Sequence, residues 1–483
     1  VKYKHALWDH VGHDALIMIN GTDRSGGGHE SPNYSCSRFN MVQVNQYMDQ
    51  IRSRFPELFP LVNYPDLFRM PKIDRIYDFY LKCSVHGYFT PSIGDCDGIY
   101  TPNRVDPISW APLTNSYEIN YLYALKKYGD PRYARACTNF RTGELASGDL
   151  FESYPEQQIV EAINKPESKI EWKSRLIDGY GLAILDNSND PEHRRAVSLN
   201  YTNLQGHAQC DPLTIQLFAR GVSLLPDLGY PTGWDHRFTW DSNSLAHNTV
   251  TVDETQPILN PTGGRARLFA SKNGVHIISA TQEPYPEGRK KLPGTDPKPT
   301  NLFQRTVVMV DIDEQRYYVV DHFAVNGGEQ HDQSWHGMLV PPELPDLSWV
   351  NQPGTLAGPD VKQFTAWTDK WGRRRTDFPS YLTDIKTTEL AKPATWTWVS
   401  GLEEGDALRM HLLPVGGPMR VYAGHGRTSA RPADWKLHYL IARRQVKDGI
   451  ASQFVTVLDG YQKTPVVKAA RILLENPVVV EVE

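Results

Sequence analysis

The stretch Gly206–Gln256 constrains the fold of this chain most, because short apolar runs in it alternate with polar turns. The apolar runs cover residues 213–219, 222–225 and 246–252, and their length and composition are typical of β-strands. Residues able to bind an ion or carry a proton stand at the ends of these runs or on the joining turns: His207, Asp227 and His247. Because a sheet brings the ends of its strands together, the pattern predicts that the three side chains converge.

The chain from residue 174 to Glu483 continues in the same manner. Apolar and polar residues alternate in segments such as 275–280, 303–310 and 437–442, and glycine-rich pairs supply turns between them. Many short strands at regular spacing indicate stacked antiparallel sheets. The sequence therefore predicts an antiparallel β-sandwich over residues 174–483.

Residues 1–173 carry helical spacing instead. Apolar residues recur every three or four positions in five segments: 39–55, 73–83, 117–128, 131–140 and 154–163. The loops between these helices are long, which fits an α/α toroid or barrel better than a bundle with tight turns. We therefore predict an α+β multidomain chain with an N-terminal (α/α) toroid over 1–173, followed by the antiparallel β-sandwich.

The composition and motifs of the sequence argue against several classes of protein. A net charge of -5 over 483 residues gives no basic excess for nucleic-acid binding, so an anionic substrate would need a local basic patch. No apolar run is long enough to cross a membrane. The chain has no G-x-S-x-G, P-loop lysine or H-E-x-x-H motif. Its 12 Trp and 24 Tyr would suit a cleft for sugar rings, although they serve core packing equally well.

Three pieces of the central stretch, in this order, resemble the heparinase II/III-like polysaccharide lyases. They are residues 206–211 (GHAQCD) against the family's G-H-x-H-x-D, residues 227–229 (DLG) against D-x-G, and residues 246–250 (AHNTV). One departure is that Gln209 stands where the family has its second histidine. The resemblance implies an N-terminal α/α toroid followed by an antiparallel β-sandwich over nearly the whole chain.

The helical part is short for a complete toroid of this family. The chain also begins at Val1, with neither an initiator methionine nor a signal peptide. We therefore expect either a removed leader or further helices upstream, and a secreted or periplasmic location.

The helical half resembles the family at a glycine-rich loop, residues 26–34 (GGGHESPNY), where a neutral histidine or asparagine meets the substrate carboxylate. The resemblance implies that His29 and Asn33 take this catalytic role. Glu30 and Tyr34 are the expected substrate contacts beside them.

A second segment, residues 80–95, resembles one whose tyrosine is catalytic. The spacing back from Gly94 and Asp95 favours Tyr80, and Tyr88 is the alternative because the residues between are poorly matched. In the sandwich half the resemblance implies a catalytic role for His207, and we expect further substrate contacts from two residues downstream: Tyr230 and Arg237.

The chemistry of a uronate lyase explains why such residues are needed. Cleavage of a 1,4-linked hexuronate starts with removal of the weakly acidic C5 proton, so hydrogen bonds or a cation must stabilise the charge that builds up. A base must reach that proton and an acid must protonate the leaving O4, and tyrosine and histidine suit both tasks. Because the implied residues come from both halves of the chain, we expect the cleft to lie between them.

Each of these residues also has an ordinary structural interpretation. A tyrosine on a helix such as Tyr80 usually belongs to the core. His29, which follows three glycines, could stand on a flexible surface turn. His207 could be a polar residue at a strand end whose hydrogen bonds are all made within the protein.

The family often binds one divalent ion, and the resemblance implies the ligands Gln209, Asp227 and His247. A glutamine oxygen is a weaker zinc ligand than imidazole, so calcium, manganese or no ion at all would suit this set as well as zinc. The ion would be structural, and the alternative is a direct hydrogen bond between Asp227 and His247. We expect no organic cofactor.

The sequence thus predicts a lyase that cleaves an acidic, uronate-containing polysaccharide, such as a glycosaminoglycan or alginate, by β-elimination. The alternatives are a uronate C5-epimerase on the same fold and a glycan-binding relative without catalysis. An inverting glycosidase that uses Glu30, Asp95 and Asp97 is a further possibility, because α/α barrels host those enzymes too. No nucleic acid or membrane partner is expected, and the oligomeric state is left open.

Overall fold

A computed structural model of the chain describes most of the 483 residues. The described ranges are 19–35, 37–85, 90–96, 118–138, 144–146, 155–187, 189–190, 192–202, 206–231, 233, 236–257, 262–285, 299–364, 366–368, 374–376, 378–401, 405–427, 436–447 and 450–483. No helix in these ranges is both long and apolar enough to cross a membrane.

The chain divides into two compact units. Of the described residues, the first unit holds those up to Pro91, then 118–172 and 177–180. The second unit holds 92–96, 173–176 and the residues from Gly181 onward. The short segment 92–96 therefore belongs with the C-terminal part of the chain, although it lies far upstream of it.

The described part of the first unit is helical. Its helices are α1 (Pro32–Ser35), α2 (Ser37–Arg54), α3 (Pro71–Cys83), α4 (Glu118–Tyr128), α5 (Pro131–Ala136) and α6 (Glu156–Ile163), with 3-10 turns at Leu67–Arg69 and Pro166–Ser168. The helices predicted from apolar spacing are confirmed, although α5 ends four residues earlier than predicted. Their arrangement as a toroid stays a prediction.

Local sequence explains where these helices begin and what they bury. Proline stands in the first turn of both α3 and α5, where its missing N–H costs nothing, and the Asp130 carboxylate caps α5 by accepting a hydrogen bond from the backbone N–H of Arg132 at 2.9 Å. One face of α3 packs against α4 and α5 through a cluster of buried tyrosines with ring centroids 5.7 Å apart: Tyr77, Tyr121 and Tyr133.

The second unit is built from antiparallel strands, as predicted. The strands are β1 (Lys173–Ile177), β2 (Leu182–Asn187), β3 (Arg195–Asn200), β4 (Ile215–Ala219), β5 (Val222–Leu225), β6 (Val250–Val252), β7 (Thr262–Lys272), β8 (Val275–Glu283), β9 (Leu302–Asp311), β10 (Tyr317–Asn326), β11 (Gln330–His336), β12 (Val350–Asn351), β13 (Ala366–Thr368), β14 (Arg374–Thr376), β15 (Thr383–Leu390), β16 (Ala394–Val399), β17 (Asp406–Leu413), β18 (Met419–Arg427), β19 (Lys436–Gln445), β20 (Ser452–Gln462), β21 (Ala470–Glu475) and β22 (Val478–Val482).

Three sheets carry most of these strands. A five-stranded sheet runs β1-β2-β3-β4-β5, a seven-stranded sheet runs β16-β17-β20-β10-β9-β8-β7, and a six-stranded sheet runs β12-β15-β18-β19-β11-β6. Short two-stranded ladders pair β13 with β14 and β21 with β22.

The core of the second unit lies between these sheets. Strand β10 alternates buried and half-exposed residues along its whole length, which is the pattern of a strand with one face on the core. One apolar cluster joins side chains from all three sheets, for example Leu199, Val307 and Leu440. It buries Trp335, Trp396 and Trp398 completely, and each such side chain contributes about 2–3 kcal/mol of hydrophobic stabilisation.

The sheets bring three connections of the central stretch to one region. Residues 206–211 lie between β3 and β4, residues 227–229 follow β5, and residues 247–249 precede β6. The apolar run 246–252 was expected to be one strand, but only Val250–Val252 pairs with β11. The preceding residues form a 3-10 turn, Ser244–Ala246, and a bend that carries His247.

Candidate functional site

His207 lies at the start of the β3–β4 connection and is half-buried. Its backbone φ is +51°, a left-handed conformation that non-glycine residues adopt rarely and at a cost of about 1–2 kcal/mol. Its main-chain oxygen accepts a hydrogen bond from the backbone N–H of Asp95 at 2.8 Å. The loop is therefore held in an uncommon conformation by a segment more than a hundred residues upstream.

Asp95 is also the centre of a buried polar group in this loop. One of its carboxylate oxygens accepts a hydrogen bond from Gln209 Nε2 at 3.0 Å, and the other accepts one from Arg237 Nε at 2.6 Å. Burial raises the pKa of Asp95, although the charge and hydrogen bond of Arg237 and the hydrogen bond of Gln209 act against it. The Arg237 guanidinium also donates to the main-chain oxygen of Ala208 at 2.9 Å.

His247 and Asp227 form a second buried pair. His247 Nδ1 lies 3.0 and 3.1 Å from the two carboxylate oxygens of Asp227, and His247 Nε2 lies 2.8 Å from the main-chain oxygen of Asp241. Burial would lower the pKa of His247, but the charge and hydrogen bond of Asp227 outweigh it and raise that pKa to about 9. Burial would raise the pKa of Asp227, but His247 holds it below the usual value.

Asn248, which follows His247, links separate parts of the second unit by hydrogen bonds. Its Nδ2 donates to the main-chain oxygen of Pro226 at 3.2 Å, and its Oδ1 accepts from the backbone N–H of His336 at 2.8 Å. Its own main-chain oxygen accepts from Arg305, which forms a fully buried ion pair with Asp321. The asparagine therefore ties the end of β5 to β11 and to the sandwich core.

The predicted metal ligands make contacts within the protein in this arrangement. Gln209 Oε1 is buried and has no hydrogen-bond partner among the described residues, so it could face an ion. Both ring nitrogens of His247 are engaged, however, whereas a ligating histidine keeps one nitrogen for the metal and the other for a hydrogen-bond acceptor. The described residues also contain no group of three His, Cys, Asp or Glu side chains placed to hold a metal. The hydrogen bond between Asp227 and His247 is the alternative named from the sequence.

A short π-helical turn, Arg237–Asp241, lies beside this site. The side chains of His236 and Asp241 are hydrogen-bonded to each other across it, and both are buried. π-helical turns occur often at functional sites, so the turn marks this region independently of the motifs.

The two expected substrate contacts of the second unit differ in exposure. Tyr230 is 44 % exposed. Arg237 is only 7 % exposed and its guanidinium is bonded within the protein.

In the first unit, Tyr80 lies on the buried face of α3 and is 1 % exposed, with its ring centroid 5.2 Å from that of Phe79. Tyr88, the alternative, lies outside the described residues, as does Asp97.

The glycine-rich loop of the first unit holds the other predicted residues. His29 is exposed, and Glu30 and Tyr34 are half-buried. Asn33 lies in α1, and its side chain is outside the described part of the structure. The main-chain oxygen of Glu30 accepts hydrogen bonds from Ser35 Oγ at 3.1 Å and from the Tyr180 hydroxyl at 2.9 Å, so this loop is tied down at Glu30.

The structure therefore brings together some predicted residues and adds others. Asp227 contacts His247, while Gln209 contacts Asp95 and the main-chain oxygen of Gly229. Sequence reasoning missed Asp241 and Arg305, and it did not pair Asp95 with Arg237. The only sequence signal for them was the position of Asp95 in a Gly-Asp turn and of Arg237 in a polar loop.

Part of the chain is similar to a known protein family. Residues 194–357 match the family model described as heparinase II/III-like, C-terminal. No curated protein sequence matches the chain at a significant level.

Solved structures match over nearly all of this chain. A heparinase III gene product superposes with a TM-score of 0.58 at 15 % identity, covering 98 % of this chain and 59 % of that one. A mutant of heparan sulfate lyase HepC from Pedobacter heparinus gives 0.59 at 13 % identity, with 98 % and 60 % covered. A third structure, titled heparinase III, gives 0.56 at 11 % identity, with 99 % and 61 % covered. The chain thus spans about three fifths of the length of these proteins and shares their fold.

Proposed function

Because residues 194–357 form a heparinase II/III-like C-terminal domain, we propose that this chain belongs to a polysaccharide lyase. The lyase would cleave a uronate-containing anionic polysaccharide by β-elimination and leave a 4,5-unsaturated uronate end. The observation that supports this most directly is His207, a half-buried histidine in a left-handed turn whose main-chain oxygen accepts a hydrogen bond from the backbone N–H of Asp95. A glycosaminoglycan is the substrate class we favour, because the matched structures are titled heparinase III and heparan sulfate lyase. Alginate is the alternative substrate.

In this proposal His207 takes part in removal of the C5 proton. A histidine is the most frequent general base in enzymes, and its efficiency depends on how its ring is oriented. Tyr80 is the proposed proton donor to O4, and His29 and Asn33 would stabilise the negative charge on the substrate carboxylate. His207 lies on the second unit and the other three on the first, so each role is tested by its own variant.

A glycan-binding protein without catalysis is the second candidate, and one observation favours it. Tyr80 is almost completely buried, which is the ordinary state of a core tyrosine. The substitution of the family's second histidine by Gln209 points the same way.

Incubation with a panel of uronate polymers (heparan sulfate, chondroitin sulfate, hyaluronan and alginate) tests the proposal. A lyase produces new ultraviolet absorbance from unsaturated ends and shortens or trims the polymer. A C5-epimerase exchanges the C5 hydrogen with solvent deuterium and leaves the chain length unchanged. Retention of a polymer without either change would identify a binding protein and overturn the lyase proposal.

Two further features remain proposals beside this one: a toroidal arrangement of the helices and a secreted or periplasmic location. A structural divalent ion held by Gln209, Asp227 and His247 is the alternative to the direct contact between Asp227 and His247. An acidic glycan is the proposed partner.

A further inference from the structure

The loop that carries His207 is enclosed by two segments distant in sequence. From one side, residues 92–96 contribute the backbone N–H of Asp95, which donates to the main-chain oxygen of His207, and the backbone N–H of Gly94, which donates to Asp211 Oδ2 at 3.4 Å. From the other side, the turn 237–242 contributes the Arg237 guanidinium, bonded to the Ala208 oxygen, and the Ser242 oxygen, which accepts from the backbone N–H of Cys210 at 3.1 Å.

The ion pair between Asp95 and Arg237 joins these two segments across the loop. Arg237 Nε lies 2.6 Å from Asp95 Oδ2, and both side chains are buried. The second carboxylate oxygen of Asp95 holds Gln209, whose Nε2 is shared with the main-chain oxygen of Gly229 at 3.0 Å. Four successive residues of the loop, 207–210, are thus each bonded to one of the two segments or to the carboxylate between them.

We propose that Asp95 and Arg237 are positioning residues that clamp the loop 207–210 and thereby hold His207 in its left-handed conformation for the proposed proton transfer. This inference rests on the proposed function for its catalytic consequence, whereas its structural part can be tested separately.

The geometry explains why a clamp is needed. A residue other than glycine keeps a left-handed backbone conformation only where several surrounding contacts hold it there. Such residues concentrate at functional sites. If the loop relaxed at Ala208 and Gln209, His207 would move to the ordinary region of backbone space and its ring would turn away. A displacement of about 1 Å in a catalytic group can lower a rate by roughly a hundredfold.

The clamp also gives Arg237 a task different from substrate binding. Its charge is neutralised by Asp95, its Nε and one Nη are committed to the protein, and almost none of its surface is open. The positive or neutral groups that meet the substrate carboxylate must therefore come from other side chains.

The experiment compares Arg237→Ala with Arg220→Ala. Arg220 forms the same kind of ion pair, with its Nε 2.7 Å from Asp406 Oδ1, in the same unit. We expect turnover of the cleaved polymer to fall by roughly 30-fold or more in Arg237→Ala with KM changed less than about threefold, because a misplaced group acts mainly on kcat. Arg220→Ala should lose thermal stability but keep its kcat.

Chemical rescue separates positioning from general damage. Added guanidinium or ethylguanidinium at low millimolar concentration should refill the space left in Arg237→Ala and restore at least a tenth of wild-type kcat. Arg237→Lys keeps the charge but lacks the forked donors, so it should fold and still lose kcat. Equal kcat losses in the Arg220 and Arg237 variants, or no rescue in a folded variant, would overturn the clamp.

Hydrogen exchange measured by mass spectrometry tests the clamp even if no polymer is cleaved. In Arg237→Ala the peptide that contains residues 207–211 should exchange at least tenfold faster, and guanidinium should slow it again, while peptides from β10 stay unchanged. Unchanged exchange at 207–211 would overturn the clamp. Absence of cleavage by the wild-type protein would instead remove the proposed function and leave this structural result standing.

Discussion

The imidazole of His247 is bonded on both sides: its Nδ1 lies 3.0 Å from Asp227 Oδ1, and its Nε2 reaches the main-chain oxygen of Asp241. The pair joins the end of β5 to the turn before β6, which is the task that a structural metal ion was expected to perform. Since the ion pair already joins these strand ends, we expect the fold not to depend on a cation at this point.

We therefore expect chelation to leave the melting temperature unchanged. An ion that binds only the folded state stabilises it by mass action, so removal of such an ion would lower the melting temperature. Elemental analysis of the purified protein and a thermal melt with and without a chelator provide the measurement. One equivalent of a divalent metal together with a chelator-sensitive melt would contradict this expectation and show that His247 exchanges its Asp241 contact for the ion.

His207→Ala should abolish nearly all lyase activity and leave the fold intact. The residue lies on a half-buried loop outside the apolar core, so its side chain contributes little to packing. Loss of a positioned acid or base typically costs 10²–10⁴ in rate. The measurement pairs turnover with a circular dichroism melt. Unfolding of the variant where the wild type is stable would assign His207 a structural role instead.

Tyr80→Phe should lower turnover by a factor of roughly 10² or more and leave substrate binding in place, because the hydroxyl would act in the transition state. The ring and its contact with Phe79 are retained, so the stability loss should not exceed about 1 kcal/mol. Tyr88→Phe is the matched variant. Full turnover in Tyr80→Phe with an inactive Tyr88→Phe would move the role to Tyr88, and activity in both would remove the proposed proton donor.

Gly26→Ala should destabilise the first unit strongly. Gly26 has a φ of +96°, and a Cβ there would lie 1.9 Å from the main-chain oxygen of Arg75 on α3, so the helix or the loop would have to move. Overpacking against backbone typically costs about 1–3 kcal/mol in addition to the strain of a positive φ. Gly129→Ala is the control, because Gly129 has a φ of +68° with nothing within 4 Å of the added atom. Equal losses from the two substitutions in chemical denaturation would contradict the packing role of Gly26.

The same loop shows where sequence reasoning succeeds and where it stops. The three glycines were visible in the sequence, where a flexible surface turn was one interpretation of them. The partner of Gly26 proves to be a helix carbonyl of the same unit. Alternation with a period of two predicted a strand over residues 303–310, and β9 covers Leu302–Asp311, because this strand has one face on the core.

Polar contacts between residues distant in the chain produce no periodic pattern in the sequence. Asp95 and Arg237 are 142 residues apart, and the sequence around either residue does not identify the other as its partner. The third strand was expected to begin near Ala246, with His247 at its end, but the side chain of Asn248 is hydrogen-bonded to Pro226 and His336 and β6 begins only at Val250. The motif was therefore found from sequence, whereas the network that fixes its geometry required the fold.

The second unit should lose stability in acid because of a buried histidine, His411. His411 on β17 is 3 % exposed, and burial, followed by the charge of Arg409, lowers its pKa to about 4. Above pH 6.5 the residue is neutral in both the folded and the unfolded chain and does not affect their balance. As the pH falls from about 6.5 to about 4, the unfolded chain takes up a proton that the folded chain does not. Stability is therefore lost across this window, by up to about 3 kcal/mol.

His411→Asn should flatten this part of the pH dependence. Asparagine can replace Nδ1 in its 2.9 Å contact with Thr395 Oγ1 but has no proton to gain. Thr395→Val is the control, because it removes the same hydrogen bond, at about 1 kcal/mol, and leaves the titrating group in place. The free energy of unfolding, measured by denaturant titration at intervals from pH 7 to pH 4, should converge between wild type and His411→Asn at the acid end. A constant offset between these two proteins across the range would show that His411 does not supply the acid sensitivity.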